Sequence, residues 1–317
     1  MRTPLLRYLL WALACCCAVA ARGQFDARFA QYWTLGSYYH PAEAGQRPHT
    51  LQLYGSYSMQ LISFTRAPRT MTVGADLPFT LLSKEHGAGA GFFNESIGLF
   101  RNQRFWAQYA YRLTLGKSKL SMGLQLGMLS VGFDPSALNL GDESGNDEAF
   151  PATAENGMSL DVGAGASLLH PRFYVSFSAH HLSAPRIRLG ERSDIRVRPM
   201  LYFTGGYNIQ TRNPLVSIQP SLHLQSDITA TRLDLTTRLF YTYRSKRFYG
   251  GLTYTPDTSV GIHLGVSIRN VTIGYAYEWF TSKIGAAGGS HDIAASYAFD
   301  LNAFKKSRNL HKSIRVL

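Results

Sequence analysis

The sequence predicts an all-β protein: an antiparallel transmembrane β-barrel of about 14 strands, with an aromatic N-terminal segment and a basic C-terminal tail. Three observations carry this reading. Between residues 49 and 299, apolar side chains alternate with polar or tiny ones at period two, the signature of strands with one greasy face. The alternating segments are even in number, and most reach about 10 residues, enough for a tilted strand to cross a bilayer; strands of soluble domains average about 5 to 6. The connections obey a parity, the longest (134–158, 183–199 and 281–289) following strands 5, 7 and 13 and the tight turns at Gly116-Lys117, Pro171 and Arg269-Asn270 following strands 4, 6 and 12. A soluble sandwich alternates too, but it has no reason to put every long loop on one side.

Composition agrees. With 16% charged residues, 13% aromatic residues and 29 glycines in 317, the chain is too apolar for disorder and too polar for a bundle of membrane helices. Residues 1–23 read as a secretory signal peptide: Arg2 and Arg7 precede the apolar run Tyr8 to Val19, and the small residues Ala21 and Gly23 stand just before Gln24. Cleavage after Ala20 fits as well as cleavage after Gly23, and Cys15 opens a lipoprotein alternative, although Ala12 stands where a lipobox wants leucine. All three cysteines (Cys15, Cys16 and Cys17) lie in this leader, so the exported chain has no disulfide, thiolate nucleophile or cysteine-bound metal. Residues 24–48 follow as a plug-like periplasmic segment, and the barrel occupies 49–299.

Its expected strands are 49–60, 70–79, 88–100, 102–116, 118–133, 159–170, 172–182, 200–210, 216–227, 230–243, 248–256, 259–268, 271–280 and 290–299. In the fifth, Leu120, Met122, Leu124, Leu126 and Met128 oppose Ser121, Gly123, Gln125 and Gly127; later, Val260, Ile262 and Leu264 oppose Gly261, His263 and Gly265. The polar face places Asp76, Arg112, Asp161, Asp234, Arg238, His263 and Glu278 in the lumen, where mixed signs predict an ion-pair network rather than a selective channel. Gly87, Gly89 and Gly91 suit a strand approached by another backbone, such as the N-terminal segment. Tyr241, Tyr243, Tyr277 and Trp279 fit membrane-interface girdles or packing inside the barrel. Residues 300–317 form a basic periplasmic tail with Lys305, Lys306, Arg308, Lys312 and Arg315 against Asp300. Losing Arg2, Arg7 and Arg22 with the leader lowers the formal charge of +12 by three, to +9. On an exported chain such a tail meets solvent, anionic lipid or an acidic partner, not nucleic acid.

Tempting chemistry fails on geometry. Ser290-His291-Asp292 has the letters of a hydrolase triad, but neighbours on a strand face opposite ways. His180-His181 is expected to split across its strand in the same manner, which leaves a structural role. Loop 134–158 carries Asp134, Asp142, Glu143, Asp147, Glu148 and Glu155 without the spacing of a calcium loop, and reads as a solvated acidic surface. Loop 183–199 is basic, with Arg186, Arg188 and Arg192 as candidate contacts for lipopolysaccharide phosphates or an acidic partner. No cofactor, metal or catalytic residue is expected.

Several clusters, in order, resemble the PorP/SprF family of outer-membrane proteins associated with type IX secretion. The opening QFDARFAQYW (24–33), with Gln31 and Tyr32, precedes YYHPAEAG (38–45), with Pro41 and Gly45, where His40 replaces the family's usual Asn. Gln60 and then Ala67-Pro68-Arg69-Thr70 follow, with Leu61 where Trp is common. GAGAGFFNESIG (87–98) supplies Asn94 and Gly98, YAYRL (109–113) supplies Tyr109 and Tyr111, and GSHDI (289–293) supplies Ser290 and His291. The resemblance implies an outer-membrane component of type IX secretion that supports secretion or surface attachment of cargo with C-terminal sorting domains. It implies no enzyme, and as partners the outer-membrane translocon, periplasmic ring and peptidoglycan-linking subunits, cargo and outer-membrane lipid. A stand-alone porin or hydrophobic small-molecule transporter is the alternative.

Overall fold

The computed structural model describes residues 26–135, 154–190, 193–282 and 288–304. Strands β1 (Thr50–Met59), β2 (Arg69–Leu81), β3 (Lys84–Ile97), β4 (Phe100–Leu115), β5 (Ser118–Phe133), β6 (Glu155–Leu169) and β7 (Phe173–His180) follow one another as antiparallel neighbours. A small hairpin of β8 (Arg186–Leu189) and β9 (Ser193–Arg196) interrupts the wall. The wall resumes with β10 (Met200–Tyr207), continued past Asn208 by β11 (Ile209–Gln210), then β12 (Val216–Ser226), β13 (Thr231–Tyr243), β14 (Lys246–Thr255), β15 (Ser259–Ile268), β16 (Val271–Phe280) and β17 (Ser290–Asp300). Because β10 pairs with both β7 and β12, and β1 pairs with β17 from Thr50–Asp300 to Met59–His291, the sheet closes into a 14-stranded barrel with no open edge among its described strands. Closure satisfies backbone groups that lipid could not.

Side chains sort as the alternation predicts. On β5, Met122, Leu124, Leu126 and Met128 stand outside while Ser121 and Gln125 are buried within. The same division puts Leu160 outside and Asp161 inside, and Ile262 and Leu264 outside with His263 inside. An apolar exterior over a polar interior inverts the soluble arrangement and is the pattern of a membrane barrel. Tyr241, Tyr243, Tyr277 and Trp279 all lie on the outer face, which excludes packing inside the barrel. Trp279 is 65% exposed, whereas Trp106 is 4% and lies inside. In proteoliposomes containing brominated lipid, we therefore expect quenching of Trp279 alone, and Trp279→Phe should abolish most of the quenchable emission; quenching that survives this substitution would contradict the assigned face.

The loop parity also holds. Connections 60–68, 134–154, 181–199 and 281–289 share one end, the long-loop end, while 82–83, 116–117, 170–172, 244–245 and 269–270 share the other, the tight-turn end. One connection departs from expectation. Within 183–199, β8 and β9 fold back over the lumen, and Ile187, Leu189 and Val197 pack on Leu129, Val131 and Phe133 of the inner face of β5. These three inward apolar residues need a cover, and the hairpin supplies it. The acidic connection lies mostly outside the described residues, including Asp142, Glu143, Asp147 and Glu148.

Candidate functional site: the plugged lumen

Residues 26–48 run through the barrel interior, from Asp26 near the long-loop end to Gly45 near the tight-turn end where β1 begins. They form three short turns, Tyr32–Thr34, Gly36–Tyr39 and Pro41–Glu43, each too brief to satisfy its own backbone. Pro41 opens the last turn, where its missing N–H loses nothing. Phe29, Tyr32, Leu35, Tyr38 and Tyr39 are buried and pack as one largely aromatic hydrophobic cluster with Tyr54, Phe93, Trp106 and Tyr202 of the wall.

The wall completes the plug's hydrogen bonding. Gln108 donates to the Ser37 carbonyl at 2.7 Å, Ser178 and His180 donate to the Tyr39 carbonyl at 2.6 and 2.9 Å, and Arg112 donates to the Ala44 carbonyl. In return, the Ala30 N–H reaches Asp292 at 3.1 Å and the Gly45 N–H reaches Asp76 at 2.8 Å. Buried irregular backbone persists only with such partners. Gly45 has φ +63°, and a Cβ there would strike the Leu77 carbonyl. Of the three glycines expected to receive another backbone, only Gly87 meets the plug, at Ala44; Gly89 and Gly91 are crowded by wall groups of neighbouring strands (Gln108 and Ala75, Trp106 and Val73), while Gly123, not anticipated, meets the plug at Pro41-Ala42.

Two charged clusters anchor the N-terminal half. Asp26 meets Arg104 at 3.7 Å, His181 Nε2 at 3.2 Å and the Tyr202 hydroxyl, while His181 Nδ1 lies 3.0 Å from Asp161. The Arg104 guanidinium is also held over the rings of Tyr38, Phe93 and Trp106. Burial works against the charged form of His181, but the Asp26 and Asp161 carboxylates outweigh it and push the imidazole up to about 9. In the second cluster, Arg28 pairs with Glu278 and stands 3.6 Å from Asp234, and Arg232 reaches both acids at 3.0 Å. Thr255 and Ser259 hydroxyls fill further sites on these carboxylates.

These facts revise three expectations. His180 and His181 do not split: a positive φ of 55° at His181, one residue beyond β7, returns its ring to the interior beside His180. The lumen charges do not pair only among themselves, because Asp76 and Arg112 bind plug backbone and Arg238 stacks on Trp33 at 4.3 Å. Asp26, Arg28, Arg104, Arg232 and His40 were not anticipated; charges embedded in the aromatic stretch 25–40 are the signal that marks three of them. His40 sits between Ser178 (3.0 Å) and Thr204 (2.7 Å).

The remaining motif residues distribute by face. Gln31 and Tyr32 are buried, with Gln31 accepting from Tyr249 at 2.8 Å and Tyr32 bonded to Ser221 at 2.8 Å. Gln60 donates to the Arg28 carbonyl, and Thr70 is buried against Glu95. Pro68 and Gly98 occupy long-loop-end turns. Asn94 takes bonds from Arg101 and Gln103 away from the plug, and Tyr109 and Tyr111 face outward from β4. Ser290 and Asp292 point in, while His291 points out to the Tyr275 hydroxyl at 2.7 Å, so the three letters cannot form a relay. Arg186 and Arg188 are exposed on the hairpin; Arg192, Lys305, Lys306, Arg308, Lys312 and Arg315 lie outside the described residues.

Residues 21–297, most of the chain, match the family model described as type IX secretion system membrane protein PorP/SprF. The chain belongs to the PorP/SprF family. No curated protein matches it. Among solved structures, this PorP/SprF barrel is similar to a Pseudomonas aeruginosa FadL homologue (TM-score 0.51, 10% identity, 84% of this chain and 94% of that one). It is similar also to a mutant of the monoaromatic hydrocarbon channel TodX (TM-score 0.50, 9% identity, 82% and 93%). At such identities the likeness establishes an outer-membrane barrel fold and nothing of cargo or substrate.

Glu43 adds a pH dependence to the PorP/SprF plug. Burial pushes its carboxyl up to about 7 from an ordinary 4.5, only partly offset by the hydroxyl of Ser176 at 2.5 Å. The folded state therefore holds this proton more tightly than the unfolded one, so its stabilising contribution is full below about pH 4.5 and is lost as pH rises through 7. Melting temperatures at pH 5 and pH 8 should differ less in Glu43→Gln than in the parent; an unchanged difference would remove Glu43 as the source.

Proposed function

We propose that this protein is an outer-membrane component of the type IX machinery that supports secretion or surface attachment of cargo bearing C-terminal sorting domains, acting as a docking barrel rather than an open conduit. The observation that carries the reading, beside family membership, is the lumen: residues 26–48 occupy it and bind its wall through buried ion pairs and backbone hydrogen bonds. In this reading the tight-turn end faces the periplasm, as short turns do in such barrels. The basic tail with Lys305, Lys306, Arg308, Lys312 and Arg315 then meets the periplasmic ring and peptidoglycan-linking subunits, and Arg186, Arg188 and Arg192 of the segment 183–199 meet an acidic partner, such as cargo, or lipopolysaccharide. The segment 1–23 is the export signal, and the reading assigns no catalytic step.

The test is gene deletion followed by mass spectrometry of cell-surface and culture-fluid proteins with C-terminal sorting domains, against a complemented strain. Broad loss identifies a core secretion part and loss of one cargo a dedicated partner; no loss rejects the proposal and favours the porin or hydrophobic-transporter alternative.

A further inference from the structure

At the tight-turn end of the lumen, a cavity of about 300 Å³ lies between the plug and the wall. Its depth is polar in one sign. Among the described residues, Arg47, Arg238 and Arg247 line it against a single acid, Glu43, whose Oε1 already accepts from Ser176. Its walls are aromatic, with Trp33 and Phe240 under the guanidinium groups: Arg238 lies 4.3 Å from the Trp33 centroid and Arg247 3.9 Å from the Phe240 centroid.

A guanidinium held over a ring has N–H donors that the ring does not satisfy as a hydrogen-bond acceptor would, and they need acceptors elsewhere. Arg238 is 6% exposed, yet among the described residues its Nη2 finds only Gln219 at 3.3 Å and its Nε finds no acceptor. Arg47 spends one N–H on Gln52 at 2.8 Å. Planar donors, an excess of positive charge and flanking rings together specify a planar anion on a flat apolar body, and the volume accommodates a ligand of one or two rings.

We propose that this cavity is a binding site for a small arene carboxylate, which enters from the tight-turn end and lays its carboxylate against Arg238 and Arg247 with its ring among Trp33 and Phe240. The inference is independent of the secretion reading. Isothermal titration of the detergent-solubilised full-length barrel with 2-naphthoate should give saturable binding, weakened at least tenfold by Arg238→Gln or Arg247→Gln and unaltered by Arg101→Gln at the opposite end. The uncharged 2-naphthamide, which partitions into detergent without a carboxylate, should not saturate. No saturable binding of naphthoate, equal affinity for the amide, or undiminished binding in both arginine variants would overturn the site. Should Arg238→Gln fail to fold, the partly exposed Arg247 decides the outcome through its own variant.

Discussion

Excision of residues 26–48 is expected to turn a silent barrel into a steady ohmic pore in planar bilayers. The intact lumen is occupied by aromatic side chains, with Leu35, Tyr38 and Tyr39 almost wholly buried, so ions have no wet path past them. Once that segment is gone, the wall presents Asp76, Asp161, Asp234 and Glu278 together with Arg104, Arg112, Arg232 and Arg238, charges that water would hydrate readily. With Glu95 and Asp292, also buried on the inner face, and Arg247, which lines the lumen cavity, six acids stand against five arginines among the described residues and predict conduction with a weak preference for cations. Steady conductance of the intact protein, or silence of the excised one despite heat-modifiable migration on gels, would show that residues 26–48 do not set the block.

Arg28→Ala should be the most damaging single change. It removes the cation between Asp234 and Glu278, leaving Arg232 alone to face two buried carboxylates. Breaking a buried ionic network on one side costs about 3 to 5 kcal/mol, because the abandoned charge remains desolvated. The effect is measurable as a fall in the temperature at which the folded gel band disappears and as protease access to the plug. Adding Glu278→Gln to the variant should restore much of the loss, since charge balance returns. A double variant no better than the single one would mean that Arg28 acts through packing rather than charge.

Much of this architecture is legible from period two alone. Met122, Leu124 and Leu126 against Ser121 and Gln125 define a wall with two solvents, and the alternation places Asp161, Asp234 and Glu278 inside before any coordinates are known. Periodicity fails where the chain leaves the strand. Residues 26–48 have no repeat, because their partners are wall side chains distant in sequence, and only the density of Tyr, Phe and Trp marks them as interior. His181 misleads for the same reason: one left-handed residue past β7 cancels the alternation that would have turned it outward. The β8–β9 hairpin is hidden because Ile187 and Leu189 are too short a run among arginines to read as strand, although Leu129, Val131 and Phe133 on an otherwise polar face announce that something apolar must cover them. The arginine cavity is equally invisible, since Arg47, Arg238 and Arg247 converge only through barrel closure.

The seam between β1 and β17 carries a consequence for how the molecule is made. These strands are the first and last of the wall, and the plug is fastened to both: Arg47 holds Gln52 on β1, and Ala30 and Gln31 hold Asp292 on β17. A finished cylinder, capped by the hairpin and lined by side chains already bonded to one another, offers no late passage for a segment bearing Tyr32, Trp33, Tyr38 and Tyr39. Residues 26–48 are thus tied to both strands of the closing seam, so the wall is wound around the segment that precedes β1 and sealed by β17.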